Sequence, residues 1–305
     1  MSGGRSVSGP PAGPLTPGLK RFRADLHIHT ALSPCGSDEM TPAAIVAAAS
    51  ARGLDMIAVC DHNTAGNVRA VQQAGETAGG GLAVIAGMEL TSAEEVHVVG
   101  LFPDAAAAER AAAQVRSLLP QADPGYYSFF GEQPLLAADG CEVGSETAAL
   151  ALATPLDLTE AVGLIHGEGG LAVAAHVDRK SFSVFSQLGF FPDGAGFDGL
   201  EVSRWLPADS PRLADFAALG LPLVGSSDSH YLEEIGASHT ELYLTEPTFA
   251  ELALALAGTG GRSVARASAG GTGGVGEPGV GAPGVGAPGG GAPGVGAPGG
   301  GPPDA

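Results

Sequence analysis

The sequence predicts an α/β barrel with an insertion near its middle and low-complexity segments at both ends. Short apolar runs alternate with helical patterns along most of the chain. Such alternation means a parallel sheet, and seven or eight units of it suggest a barrel. Five of those runs finish in an imidazole or carboxylate, and the last 39 residues (267–305) are largely a Gly/Pro/Val repeat.

The strand candidates, in order, are Phe22–Ile28, Leu54–Cys60, Leu82–Gly87, Val96–Phe102, Leu171–Ala175, Phe197–Val202 and Leu221–Gly225. The helices between them carry start and stop signals. Thr41 is placed to cap a helix with Pro42 in its first turn, and Gly53 stops it. Thr159 is expected to cap a helix running to Gly169, and Ser210-Pro211 to open one that ends at Gly220. The stretch from Pro120 to Pro155 breaks the rhythm. Its Asp139-Gly140 pair between two short apolar runs predicts a hairpin turn, so residues of about 120–155 form an insertion on the barrel, a lid or partner surface.

The domain plan is therefore a leader over 1–20, a barrel over 21–266 and a tail over 267–305. The leader is rich in Gly, Pro and Ser and is expected to be disordered. From Gly274 the tail repeats a five-residue unit, GVGEP to GGGPP, which lacks the every-third glycine of collagen and has too little apolar bulk to fold. A flexible, disordered spacer is the expectation.

Composition narrows the function. Of 305 residues, 44% are hydrophobic but only 5% aromatic, so the core should be aliphatic and small. The net charge of −19 repels polyphosphate at long range and argues against a large nucleic-acid surface, whereas a small anionic substrate remains accessible where metal ions supply positive charge. The three cysteines Cys35, Cys60 and Cys141 form no CxxC pair, which points away from a disulfide framework and to a reducing compartment. No stretch approaches a membrane span and no secretory h-region is present, so the cytoplasm is the default.

The chemistry lies at strand ends. In Asp25-Leu26-His27-Ile28-His29, alternation places Asp25, His27 and His29 on one face. Two imidazoles two residues apart can share a metal ion, with Asp25 orienting one of them. Further along, a strand ends in Asp61-His62-Asn63, another in Met88-Glu89, another in His176, and another runs into Asp228 and His230. Barrel enzymes build their sites at that end. His97 stands at the start of its run, which requires an antiparallel strand or a loop that folds inward. His166 reads as a packing or surface residue and His239 as solvated.

The segments DLHIHT, CDHN, GMELTS with EEVHVVGLF, AAHVDR and SSDSHYL resemble, in order, the motifs of the polymerase and histidinol phosphatase (PHP) superfamily, over about residues 22–245. The resemblance implies a distorted (β/α)7 barrel that hydrolyses phosphoesters with two or three divalent ions, commonly zinc, manganese or iron. It implies that His27 and His29 bind a first metal with Glu89 and Asp228, that Glu89 bridges to a second held by His97 and His176, and that a third takes His62 and His230. The family adds one ligand after the HxH pair. Here that region reads ALSPCGSDEMTP, longer than usual, with Asp38 the first candidate and Glu39 or Cys35 the alternatives. Asp61 is expected to support the site rather than ligate.

Two ions about 4 Å apart can activate a bridging water and clamp an in-line displacement. Glu89 suits the bridging role, while His62 or His230 would stabilise the phosphate and leaving oxygen. Arg179 and Arg204, close after strand ends, are candidates for phosphate contacts. The expected substrate is a small phosphomonoester or nucleotide. A short-oligonucleotide exonuclease, an amidohydrolase-like hydrolase and a non-catalytic accessory module are the alternatives. Eight of the ligands the resemblance implies are present, which favours an enzyme.

Overall fold

The structure is a computed structural model that describes residues 18–268. The expected leader, apart from its last three residues, and nearly all of the expected tail lie outside the described residues. Lys20 opens the first strand, and the last strand runs two residues past the anticipated boundary at 266.

Seven strands form a barrel-like sheet in the order β1 (Lys20–Ile28), β2 (Met56–Val59), β3 (Ala83–Thr91), β4 (His97–Phe102), β7 (Leu171–Ala174), β8 (Gly199–Val202) and β9 (Leu223–Gly225). All neighbours are parallel except β4, which runs antiparallel to both β3 and β7. The upper half of β1 reaches the chain after β9 through a bridge between Ile28 and Ser229, which closes the ring. Its lower half pairs with β10 (His239–Leu244), which in turn pairs with β11 (Ser263–Ser268). The distorted seven-stranded barrel expected from the sequence is thus observed, with a hairpin wedged between its last and first strands.

Two apolar layers show which side chains face inward. One cluster joins Ala24, Leu26, Met56, Ala58, Ile85, Val99, Leu101, Val173 and Val224, all from strands, to Leu252, Ala255 and Leu256 of α8 (Phe249–Leu256). This is the barrel interior, plugged from below by α8. The other joins Ile57, Val59, Met88, Val98 and Leu200 to residues of α1 (Pro42–Ala51), α2 (Val68–Ala78), α3 (Ala105–Arg116) and α5 (Leu158–Gly167). It is the outer layer, where helices cover the sheet. The interior is filled by small aliphatic groups because the composition offers few aromatics.

Several local expectations hold. Pro42 opens α1 and Gly53 ends it with φ of 66°. Asp139-Gly140 turns an antiparallel hairpin of β5 (Pro134–Leu136) and β6 (Glu142–Ser145), which follows the short helix α4 (Pro124–Phe130). Gln133 anchors this insertion: fully buried, it donates to the carbonyls of Glu146 and Ala148 and accepts from Tyr126 Oη and Leu150 N. Other expectations are corrected. Thr159 does not cap α5. Asp157 does, two residues earlier, in a reciprocal box with Glu160 that satisfies both free N–H groups. The helix opened by Ser210-Pro211 is short, α7 (Arg212–Ala217), and Pro211 itself is the cap residue. His239 lies at the start of β10, half-buried, and accepts a hydrogen bond from Arg23 Nε.

Among the described residues no helix is long and apolar enough to cross a membrane.

Candidate metal centre

β3 runs through Glu89 rather than stopping before it, so the carboxylate is held by the sheet on both sides. It shares parity with the inward Ile85 and is 1% exposed. Because β4 is antiparallel, its first residue, His97, arrives at the same end of the barrel as the last residues of the other strands. This resolves the position of His97. It lies on the interior face with Val99 and Leu101, and its Nδ1 is 2.8 Å from Glu89 Oε1.

Around Glu89 the imidazoles gather. His27 Nε2 and His176 Nε2 lie 3.4 and 3.2 Å from Oε1, while His29 Nε2 and His62 Nδ1 lie 3.4 and 3.0 Å from Oε2. Asp228 Oδ1 approaches His29 Nε2 at 3.3 Å and His27 Nε2 at 3.7 Å. His230 stacks on His29 with ring centroids 4.2 Å apart. Eight of the nine expected ligands are therefore brought to one place. The ninth, Asp38, is not: it is exposed and makes no side-chain hydrogen bond or ion pair with any described residue, and Glu39 is also exposed. Cys35 instead sits with its Sγ 3.2 Å from His62 Nε2.

The donor set fits divalent cations. His27 Nδ1 faces Glu201 and His29 Nδ1 faces Ser33, so both Nε2 atoms, 3.2 Å apart, turn toward the site. Glu89 Oε2, His97 Nδ1 and His176 Nδ1 are buried with no hydrogen bond. Atoms within 4.8 Å of one another in the groups His27–His29–Glu89, His62–Glu89–His97 and His29–His62–His230 could each surround one ion. Imidazole and carboxylate together suit zinc, iron or manganese.

A second layer of residues orients these ligands. Glu201, which the sequence reading did not single out, is buried on β8 and accepts from His27 Nδ1 at 3.0 Å, which turns Nε2 toward the site. Its signal was present: Gly199 and Glu201 alternate with the outward Leu200 and Val202, so a carboxylate faces the barrel interior. The role expected of Asp25 is thereby corrected. The register of β1 against β2 shifts between Asp25 and Ile28, so Asp25 and His27 fall on opposite faces. Asp25 accepts instead from Ser227 N and Gly236 N, clamping the chain that closes the barrel. Burial pushes its pKa up to about 6 despite these bonds.

Asp61 has the supporting position expected of it. It accepts from Thr30 N, Thr30 Oγ1 and Ser33 Oγ, and that serine in turn accepts from His29 Nδ1 at 2.9 Å. Asn63 donates to the carbonyls of Leu150 and Leu152 and accepts from Thr91 N, tying the second strand end to the insertion and the third strand. Arg179 contacts Asp228, Nη1 to Oδ2 at 2.6 Å, so it holds a ligand. Arg204 pairs with Glu234 and lies over the Trp205 ring. His166, exposed, pairs with Asp198.

Charge is balanced inside the cluster. Burial would raise Glu89 and Asp228, but the neighbouring imidazoles, His97 and His27 foremost at Glu89 and His27 foremost at Asp228, hold both well below the ordinary carboxylate range. Burial opposes charge on His27 and His62, yet the neighbouring Glu201 and Glu89 carboxylates on one, and Cys35 and Glu89 on the other, raise both. His230 rises to about 9, against burial, through Cys35 and Asp228. His29 is lowered by burial and by His230, and His97 falls to about 4 mainly through burial. Desolvation would raise the Cys35 thiol, but His230 and His62 draw it down to about 6. Asn63, His176 and Asp228 hold φ values of 54°, 30° and 50°. That left-handed backbone costs a non-glycine residue on the order of 1–3 kcal/mol and gathers at functional sites.

Family comparison agrees with this arrangement. The PHP-domain profile matches residues 25–168, and a PHP-associated profile matches residues 214–258. This is a PHP-domain protein. Its fold is similar to that of the lesion-specific Endonuclease Q from Pyrococcus furiosus, with a TM-score of 0.59 at 19% identity, covering 80% of this chain and 58% of that one. Endonuclease Q in complex with a 27-mer duplex carrying an abasic lesion gives 0.58 at 19% identity, with the same coverage. An amidohydrolase from Chromobacterium violaceum, with bound sulfate and no metal, gives 0.51 at 23% identity, covering 70% of this PHP-domain protein and 89% of the other. The chain thus spans little more than half the length of Endonuclease Q. No curated protein matches it by sequence at a significant level.

Proposed function

We propose that this PHP-domain protein is a metal-dependent phosphoesterase acting on a small phosphomonoester or nucleotide. One observation carries the reading: the buried Glu89 carboxylate is ringed by His27, His29, His62, His97 and His176, all with nitrogen–oxygen distances of 2.8–3.4 Å. Its Oε1 faces His27, His97 and His176 and its Oε2 faces His29 and His62, so imidazoles surround the carboxylate on both sides. His27, His29 and Asp228 would hold one with it, and His97 and His176 the other. Bound there, divalent ions supply a water nucleophile at neutral pH and offset the charge of phosphoryl oxygens.

The remaining work belongs to the chain. Glu201 and the Ser33–Asp61 pair fix the tautomers of His27 and His29. Arg179 pairs with Asp228 and would position it, beside the phosphate contact expected from the sequence. His230 Nδ1 is tied to the Asp228 carbonyl at 3.0 Å, so its Nε2 is left to face a third ion or the leaving oxygen. Phe182 stacks on His97 with centroids 4.6 Å apart, limiting water on that side.

A nuclease reading is supported by the fold shared with Endonuclease Q and by aromatic groups that bases could stack on. Trp205 and Tyr231 are 40% and 49% exposed, and Tyr231 directly follows His230. Against it stands the net charge of −19.

The test is elemental analysis of the full chain beside hydrolysis of an aryl phosphate, a nucleotide panel, short oligonucleotides and an abasic duplex, with zinc or manganese added. Two or three ions per chain with release of phosphate, lost in Glu89→Gln, is the expected result. Bound metal with cleavage of the oligonucleotides or duplex alone would move the assignment to the nuclease. A chain that takes up no metal would refute both.

A further inference from the structure

Beyond the ligands of the two ions around Glu89, a second constellation opens toward the surface. The loop after β1 folds tightly: Ser33 N donates to Thr30 O, Gly36 N to Ser33 O, and Ser37 N to the backbone oxygen of His230. A side chain at Gly36 would collide with the Thr30 carbonyl, so glycine is what lets the turn close. The closed turn presents Cys35 to His62 Nε2 at 3.2 Å, and the Ser37 N bond to the His230 carbonyl ties the same loop to the segment that carries His230.

Both imidazoles are set to use Nε2 there. His62 directs Nδ1 to Glu89 Oε2 at 3.0 Å, and His230 directs Nδ1 to the Asp228 carbonyl. Each Nδ1 thus faces an oxygen, and the Nε2 atoms are left for a cation. His29 stacks beneath, its ring centroid 4.2 Å from that of His230 and 4.6 Å from that of His62. The carboxylates in this loop, Asp38 and Glu39, point to no such partner and are exposed.

We propose that Cys35 supplies a thiolate ligand to a third divalent ion, completing a Cys35–His62–His230 site in which the thiol replaces the expected carboxylate. The proposal rests on the metal-centre reading above. Three protein ligands leave a tetrahedral ion one open position, the pattern of a catalytic rather than a structural site. Sulfur would bind as thiolate: any proton still on Sγ leaves to solvent, and sulfur keeps the electron pair it donates. A soft thiolate beside two imidazoles selects zinc or cobalt over manganese and magnesium, so this position should differ in metal preference from the two around Glu89.

Cobalt(II) loading of the metal-stripped full chain tests this independently of turnover, since a thiolate ligand adds an intense charge-transfer absorption in the near ultraviolet that nitrogen and oxygen ligands do not. The band is expected in the wild type and in Cys141→Ser, whose cysteine lies on the insertion hairpin. It should vanish in Cys35→Ser with the visible ligand-field bands of the other ions retained. Cys35→Asp should restore the ion count without the band. Cobalt bound with no charge-transfer band, or a band that survives Cys35→Ser, would overturn the ligand assignment while leaving the centre intact. Absence of any cobalt uptake would overturn the metal-centre reading and this proposal with it.

Discussion

Replacing Glu201 by glutamine removes one buried charge and keeps the shape of the side chain. Glu201 and His27 are both essentially inaccessible to solvent and meet at 3.0 Å. At that separation and an effective dielectric of about 20, the attraction between carboxylate and charged imidazole is roughly 5 kcal/mol. The desolvation cost of the carboxylate, several kcal/mol, disappears with it and offsets part of that loss. What should remain is the usual worth of a group behind a metal-bound histidine, a factor of about 10–100 in metal affinity, or roughly 1.4–2.7 kcal/mol. The assay is competition for zinc between the stripped protein and a chromophoric chelator, with circular dichroism to show that the variant is folded. Glu201→Gln should weaken the tightest zinc by that factor. Glu201→Ala should do more, because His27 Nδ1–H would then be buried without an acceptor, at a further cost of about 1–3 kcal/mol. A folded Glu201→Gln protein that binds zinc as tightly as the wild type would refute the argument that this carboxylate sets the basicity of His27.

Metal loading should release protons. His27 and His62 are raised above their ordinary range and His230 reaches about 9, so each holds a proton near neutrality that a metal must displace. Apparent zinc affinity should therefore rise with pH and level off above about 9, and titration in weak buffer with an indicator dye should show fewer protons released there than at pH 7; release independent of pH would contradict the raised imidazoles. Asn63→Ala should cost about 3–5 kcal/mol, since it leaves Thr91 N and the carbonyls of Leu150 and Leu152 unpaired in a buried position. Urea unfolding should show the lower midpoint, and an unchanged midpoint would mean that water replaces the side chain. Gln133→Ala should loosen the 120–155 insertion while leaving the metal count unchanged, read as faster amide exchange and proteolysis there; unaltered protection would argue that the hairpin holds itself.

Where sequence and structure part, the reasons are local. Helix boundaries were legible when proline and glycine mark them, as at Pro42 for the start of α1 and Gly53 for its end, because those residues act through their own backbone. They were misread at α5, where Thr159 and Asp157 are both competent caps and only the reciprocal Glu160 contact decides between them. The gathering of the candidate ligands at strand ends was legible because alternation and barrel geometry force them to one rim. Asp25 was misassigned because one register shift in β1 reverses which side chains face inward, and no local residue signals a bulge there. Glu201 escaped because one carboxylate in a short apolar strand looks like an outward residue until the neighbouring strands define inside and outside. Asp38 stood ahead of Cys35 in the sequence because the path of a loop depends on what it packs against, here the His230 backbone, and nothing local signals it.

The electrostatics of the molecule tie these pieces to the choice of substrate. Glu89 and Asp228 lie at the centre of a chain with net charge −19, and with neutral imidazoles the pair contributes −2 to the site. Two divalent ions would reverse that to about +2 within a few ångströms, while the distant surface stays acidic. At physiological salt a charge is screened over about 8 Å, so the reversed sign is felt only by groups that enter the site. A compact phosphate places its whole charge inside that radius and feels attraction. A long duplex places most of its phosphates against the acidic exterior and must gain more from stacking or from a separate basic surface than it loses there. On the proposed reading the local charge thus favours compact phosphoesters, and recognition of a longer nucleic acid would have to rest on a separate basic surface or on exposed aromatics such as Trp205 and Tyr231, rather than on the metal centre itself.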